Sequence, residues 1–141
     1  MSNAYRKAHA AARQHPNALV LGADTVVSLG RFALGKPADM TEARQMLARL
    51  QGKTHYVITG VCLIHGRTRR RRLFAVHTAV TFRRLERAHM NRYLAEINPL
   101  DKAGGYAIQE KGDRIVKSIQ GSFSNVVGLP MERLRKELAS W

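Results

Sequence analysis

Residues 19–37 read Leu-Val-Leu-Gly-Ala-Asp-Thr-Val-Val-Ser-Leu-Gly-Arg-Phe-Ala-Leu-Gly-Lys-Pro. An apolar, β-branched run is interrupted at Asp24-Thr25, turns at Gly30 and returns to Lys36, set between Gly35 and Pro37. The run predicts a strand over 19–28, apolar enough to be buried on both faces, followed by a short strand ending at Gly35-Lys36-Pro37. A carboxylate inside such a strand is costly to bury alone, so Asp24 needs a partner, a cation or a reaction.

The flanking segments predict a sheet covered by helices. Residues 5–14 are rich in helix formers and stop at His15-Pro16. Asp39 and Glu42 have capping-box spacing, and Ala43, Met46, Leu47 and Leu50 follow at i, i+3, i+4 and i+7. That helix ends at Gln51-Gly52. Two long β-rich runs, 54–65 and 71–82, flank an arginine segment at 67–72 and read as a hairpin. Met90, Tyr93, Leu94 and Ile97 mark a helix halted by Asn98-Pro99. Gly104 and Gly105 loosen a loop before an apolar strand beginning at Tyr106. Residues 114–119 read as a further strand and 121–128 as a loop. Pro130 opens a last helix with Met131, Leu134 and Leu138 inward. The expected class is α/β or α+β, with 1–141 as a single domain.

The composition narrows the partners. The 141 residues carry a formal charge of +14 and a pI near 11.1, which points to nucleic acid, nucleotides, phosphates or an acidic surface. Arg67, Arg69, Arg70, Arg71 and Arg72 crowd one short segment. They read either as a solvated turn or as a polyanion contact. No apolar run approaches the roughly 18 residues of a membrane span, and the N-terminus lacks a signal-peptide core, so a cytoplasmic location is expected. The lone Cys62 fits a reducing compartment.

Several chemistries are excluded by pattern. No Gly-x-x-x-x-Gly-Lys-Ser/Thr loop, Gly-x-Gly-x-x-Gly fingerprint or nucleophile-elbow serine occurs. The six histidines show no metal-ligand spacing, and His55, His65 and His77 fall on predicted strands, where packing or hydrogen bonding is expected of them. What remains is Asp24, Lys36, and the Asp101-Lys102-Ala-Gly-Gly segment, whose lysine and glycines suit a phosphate. Asp24 can equally cap a turn or pair with a lysine. The residues alone therefore indicate a basic α/β protein suited to a phosphorylated ligand and a hard cation such as Mg²⁺.

Taken in order, the segments resemble the Maf family of nucleoside triphosphate pyrophosphatases. The matching stretches are Leu-Gly-Ala-Asp24-Thr25-Val-Val, Gly-Lys36-Pro, Leu-Gln-Gly-Lys-Thr-His55-Tyr-Val-Ile-Thr59-Gly60-Val and Thr78-Ala-Val-Thr-Phe82. Tyr93-Leu, Asp101-Lys102-Ala-Gly-Gly-Tyr-Ala-Ile-Gln109 and Ile119-Gln-Gly-Ser-Phe-Ser-Asn125-Val-Val-Gly-Leu-Pro130 continue the series. The resemblance implies an elongated mixed sheet flanked by helices, as in the inosine triphosphatase group, with a cleft between two lobes. It further implies a divalent cation, Mg²⁺ or Mn²⁺, and Asp24 as proton acceptor or metal ligand. Lys7, Lys36 and Lys102 would bind phosphates, and Thr25 with Gln109 would select a dTTP/UTP-type base. Family members open with a strand and a Ser-x-Ser-Pro-Arg-Arg loop, then an acidic residue. No Ser-Pro-Arg-Arg occurs here, so the expectation is a domain without that strand and its phosphate loop. Two readings follow: a pyrophosphatase, expected as a homodimer, or an impaired Maf-like domain that binds nucleotides or, through 67–72, nucleic acid.

Overall fold

The strand carrying Asp24 lies inside a five-stranded sheet with order β2-β1-β3-β4-β5 in the computed structural model, which describes residues 2–141. In chain order the elements are α1 (Ser2–Gln14), β1 (Leu19–Leu29), β2 (Phe32–Leu34), α2 (Met40–Leu50), β3 (Thr54–His65) and β4 (Arg71–Phe82). They continue with α3 (Arg87–Glu96), β5 (Val116–Gln120), α4 (Phe123–Val127) and α5 (Met131–Ala139). All four pairings are antiparallel, so the mixed sheet implied by the resemblance is not what these residues form. The local reason is connectivity: β1–β2 and β3–β4 are hairpins, and an antiparallel partner needs no crossover helix. The α/β class with helices packed on the sheet holds. None of the described helices is long and apolar enough to cross a membrane.

Two helices fix the sheet. The buried face of helix α1 is made of alanines: Ala4, Ala8 and Ala12 repeat at four-residue spacing and are all buried. They let the helix sit almost on the backbone of β1. A Cβ at Gly22 would lie 2.4 Å from the Ala4 carbonyl oxygen, so only glycine fits there. Helix α2 follows its predicted start and stop. Asp39 Oδ1 accepts from the Glu42 amide at 2.8 Å, and Ala43, Met46, Leu47 and Leu50 are buried against Val57, Val80 and Phe82. Fully burying a leucine such as Leu47 or Leu50 contributes about 1.5–3 kcal/mol.

Four expectations are corrected. β1 is not buried on both faces: Leu19 and Leu21 are exposed, and only Gly22 and Val27 are buried, because α1 covers one face while little covers the other at this end. No strand forms at 106–109; Tyr93 Oη takes both the amide and the carbonyl of Ala107, which replaces a ladder partner. Residues 121–128 are not a loop. Ser122 caps the short helix α4 by accepting from the Asn125 amide, and Gly128, at φ +133°, ends it. On α5 only Leu134 is buried; Met131 and Leu138 stay exposed because that helix meets the sheet along one narrow line, at Val61, Leu63 and Phe74.

Candidate functional site

Asp24 sits in the middle of β1, opposite Gly60 of β3, where the strand passes beneath the N-terminal half of α1. Its partners come from that helix. Lys7 Nζ lies 3.0 Å from Asp24 Oδ1 and 3.2 Å from the Ala23 carbonyl, and Asn3 Nδ2 donates to Oδ2 at 3.2 Å. Partial burial pushes the carboxyl up, but the hydrogen bonds from Lys7 and Asn3, with the charge of Lys7, outweigh it. The group is held below the usual carboxylate range. Asp24 is therefore a standing anion at neutral pH.

The other two lysines arrive on separate turns that one backbone bond joins. The Gly104 amide donates to the Gly35 carbonyl at 3.0 Å, which sets the Asp101–Gly105 loop against the Gly35-Lys36-Pro37 turn. Gly104 and Gly105 both have positive φ, and a Cβ on Gly104 would press on Val27 at 3.0 Å, so this loop depends on its glycines. The result is a cleft of about 240 Å³ lined by Lys7, Asp24, Thr25, Lys36, Asp101 and Lys102, with Val27, Val57 and Tyr106 as its apolar and aromatic walls. Lys102 and Asp101 approach only to 3.9 Å, and both are half-exposed, so Lys102 is available to an anion.

A polar network lies beneath this cleft. Thr25 Oγ1 and Thr59 Oγ1 are 2.9 Å apart, and Thr59 is fully buried. Asn125, also fully buried, has its amide nitrogen 3.0–3.1 Å from the Val57 and Val76 carbonyls and from Thr78 Oγ1. One side chain thus joins β3, β4 and α4. On the other wall, His55 Nε2 and Tyr106 Oη are 2.7 Å apart, and Phe82 packs edge-on against both rings. Burial lowers the His55 pKa to about 4, which keeps the ring neutral.

Of the residues singled out from sequence, Lys7, Asp24, Thr25, Lys36 and Lys102 meet in this cleft. Gln109 does not; it lines a separate depression with Ile108, Lys111 and Phe123. Sequence reasoning passed over Asp101 as an individual candidate and missed Asn3 and the His55–Tyr106 pair. The signal for the pair was present: a histidine on an apolar strand needs a polar partner, and Tyr106 follows two glycines in the loop already marked. Among the described residues no three His, Cys, Asp or Glu side chains gather as a metal cage.

Two carboxylates and three lysines around an open cleft on an α/β sheet make a charge set able to receive phosphate oxygens. The family profile described as "Maf-like protein" matches residues 1–141. The chain belongs to the Maf family. It is 52% identical over 128 residues to a dTTP/UTP pyrophosphatase of Myxococcus xanthus, covering 91% of this chain and 64% of that protein. A dTTP/UTP pyrophosphatase of Desulfitobacterium hafniense is 49% identical over 87% of this chain and 55% of its own length. One of Bacillus mycoides is 48% identical over 98% and 71%. The chain thus spans between about half and three quarters of the length of these curated relatives.

Proposed function

We propose that this chain hydrolyses nucleoside triphosphates of the dTTP/UTP type to the monophosphate and pyrophosphate, with the triphosphate seated in the Asp24 cleft. The observation that carries the reading is that Lys7, Lys36 and Lys102 line one cleft with the anionic strand residue Asp24, in a chain 46–52% identical to proteins named for that activity. Water adds across the α–β phosphoanhydride: its oxygen bonds the α-phosphorus, the bridging oxygen leaves with pyrophosphate, and the water's proton passes to solvent. The lysines oppose the negative charge that grows on the phosphoryl oxygens as that bond breaks. Thr25 lies in the cleft wall, so direct contact with a base seated beside Asp24 falls to it rather than to Gln109.

A divalent cation fits the donor chemistry. The cleft offers carboxylate oxygens from Asp24 and Asp101, the hard ligands that Mg²⁺ and Mn²⁺ take, and too few to hold a cation without the triphosphate. A cation held there supplies charge neutralisation at the phosphoryl oxygens. The depressed pKa of Asp24 suits this use: a carboxylate ionised well below neutrality is a good ligand and a weak base, so holding the cation is favoured over taking the proton. We extend the reading to a cytoplasmic protein and to a homodimer. Two-fold pairs are the commonest assembly, and the edge strand β2 leaves Phe32 62% exposed.

The test is pyrophosphate release from dTTP and UTP with Mg²⁺ or Mn²⁺ present. Release is expected with both nucleotides, and Asp24→Ala should lower it by on the order of 10²–10³-fold, as loss of cation stabilisation worth several kcal/mol would. A folded chain that binds dTTP and releases no pyrophosphate would instead be the second reading, a nucleotide-binding domain without turnover.

A further inference from the structure

We propose a second anion site, separate from the Asp24 cleft, in the hollow between the C-terminal half of α1 and the β3–β4 tip, which takes a compact oligophosphate. The hollow encloses about 800 Å³, within the size range of small-molecule sites. Arg13 enters it from α1, and Arg69 and Arg71 from the hairpin, while no acidic residue lines it. None of the three guanidiniums pairs with a carboxylate among the described residues.

An excess of positive charge alone would leave arginines spread over the surface. Here the arginine segment is sorted. Arg70 and Arg72 turn to the opposite side, with their guanidinium carbons 4.8 and 5.6 Å from the Trp141 ring centre, and Arg72 is also bound to Glu137. Arg71 instead lies 5.2 Å over the ring of Tyr5, which stacks with His9 at 5.4 Å. That ring sets the direction of the Arg71 fork. Arg69 holds a left-handed backbone, φ +59°, and its amide donates to the His65 carbonyl at 2.9 Å. Non-glycine residues seldom adopt this conformation without a reason elsewhere in the structure.

The walls are also joined firmly. Gly66 packs against the end of α1 so closely that a Cβ there would lie 2.6 Å from Pro16 Cα and 2.7 Å from the Ala12 carbonyl oxygen, and its amide donates to Ala18. The three cations are thus presented on a fixed frame, which lowers the ordering cost of binding. Their convergence decides the ligand class. An extended nucleic-acid strand needs a stripe of cations, and the two arginines that would lengthen the stripe are committed to Trp141. Three arginines around one concavity match several phosphates close together.

The test is a titration of the full chain with inorganic tripolyphosphate at constant ionic strength, followed through backbone amide signals. Two groups should shift with separate affinities: Arg13, Gly66, Arg69 and Arg71 in one, Asp24 and Lys102 in the other. Arg71→Glu should abolish the first response and keep the second, and Arg13→Ala should weaken the first on the order of tenfold. Retention of the second response shows that each variant is folded. Shifts confined to the Asp24 group overturn the proposal, as does a hollow response that survives Arg71→Glu. A single-stranded oligonucleotide that moves the hollow amides at lower concentration than tripolyphosphate overturns it in favour of a nucleic-acid groove.

Discussion

The two depressions beside α1 share a helix and a positive charge but not a chemistry. Lys7 of that helix reaches Asp24, while Tyr5, His9 and Arg13 face the hairpin tip. In the first, flexible lysines surround an ionised carboxylate; in the second, arginines stand with no acid among them. A carboxylate can hold a cation or take a proton, so the first can carry a reaction on a phosphate. The second can only bind one. Net charge says nothing about this difference, because both regions are basic. What separates them is a pair of acidic side chains, Asp24 on a strand that helix α1 partly covers and Asp101 on the glycine-rich loop.

The comparison breaks most sharply at Asp24. Asp24→Ala, by the pyrophosphate-release measurement above, leaves Asp101 as the cleft's one acid and should reduce it to an anion site with little turnover. The next largest effect concerns what lies beneath each region. The cleft rests on buried His55, whose folded-state pKa of about 4 is below the ordinary 6.5. Its neutral form is favoured by folding, so its contribution is complete above pH 6.5 and falls as pH drops toward 4. The loss amounts to on the order of 3 kcal/mol when fully expressed. Urea unfolding at pH 7 and pH 4.5 should show the decline, and His55→Gln should flatten it while lowering stability at pH 7.

Gly22→Ala removes the support that the two regions share. Its new methyl would meet backbone atoms of Ala4 and Ala8, and overpacking of this kind typically costs roughly 1–3 kcal/mol. Thermal unfolding should report that loss, together with weaker binding at both depressions, since α1 carries residues of each. Lys102→Ala is the mildest of these changes. It removes one charge-assisted contact and should lower kcat/KM for dTTP by about tenfold.

Much of this was legible in the chain because local rules and tertiary needs agree. The α2 helix shows it: the cap, the apolar spacing and the glycine stop all fall where its sequence places them, and burial of Leu47 and Leu50 reinforces them. The same holds for the β3–β4 hairpin. Asp24, Lys36 and Lys102 were marked for their oddity in apolar or glycine-rich surroundings, and they share a cleft. The failures came where a distant partner overrides local preference. Residues 106–109 have strand character, yet Tyr93 ties up Ala107 from fourteen positions away. Residues 121–128 look like a loop, yet buried Asn125 pins them as a helix against β3 and β4. Strand alternation separates Arg69 and Arg71 from Arg70 and Arg72, but the capping of the second pair by Trp141, roughly seventy residues later, is encoded by no local pattern.

The bond from the Gly104 amide to the Gly35 carbonyl has one more consequence. It couples two lysine-bearing turns that are far apart in the chain, so Lys36 and Lys102 cannot rearrange independently while it holds. An anion bridging both lysines clamps the same bond from outside. Deuterium uptake at Gly104 should therefore slow when tripolyphosphate fills the cleft, making one peptide proton a stopwatch for the opening of the site.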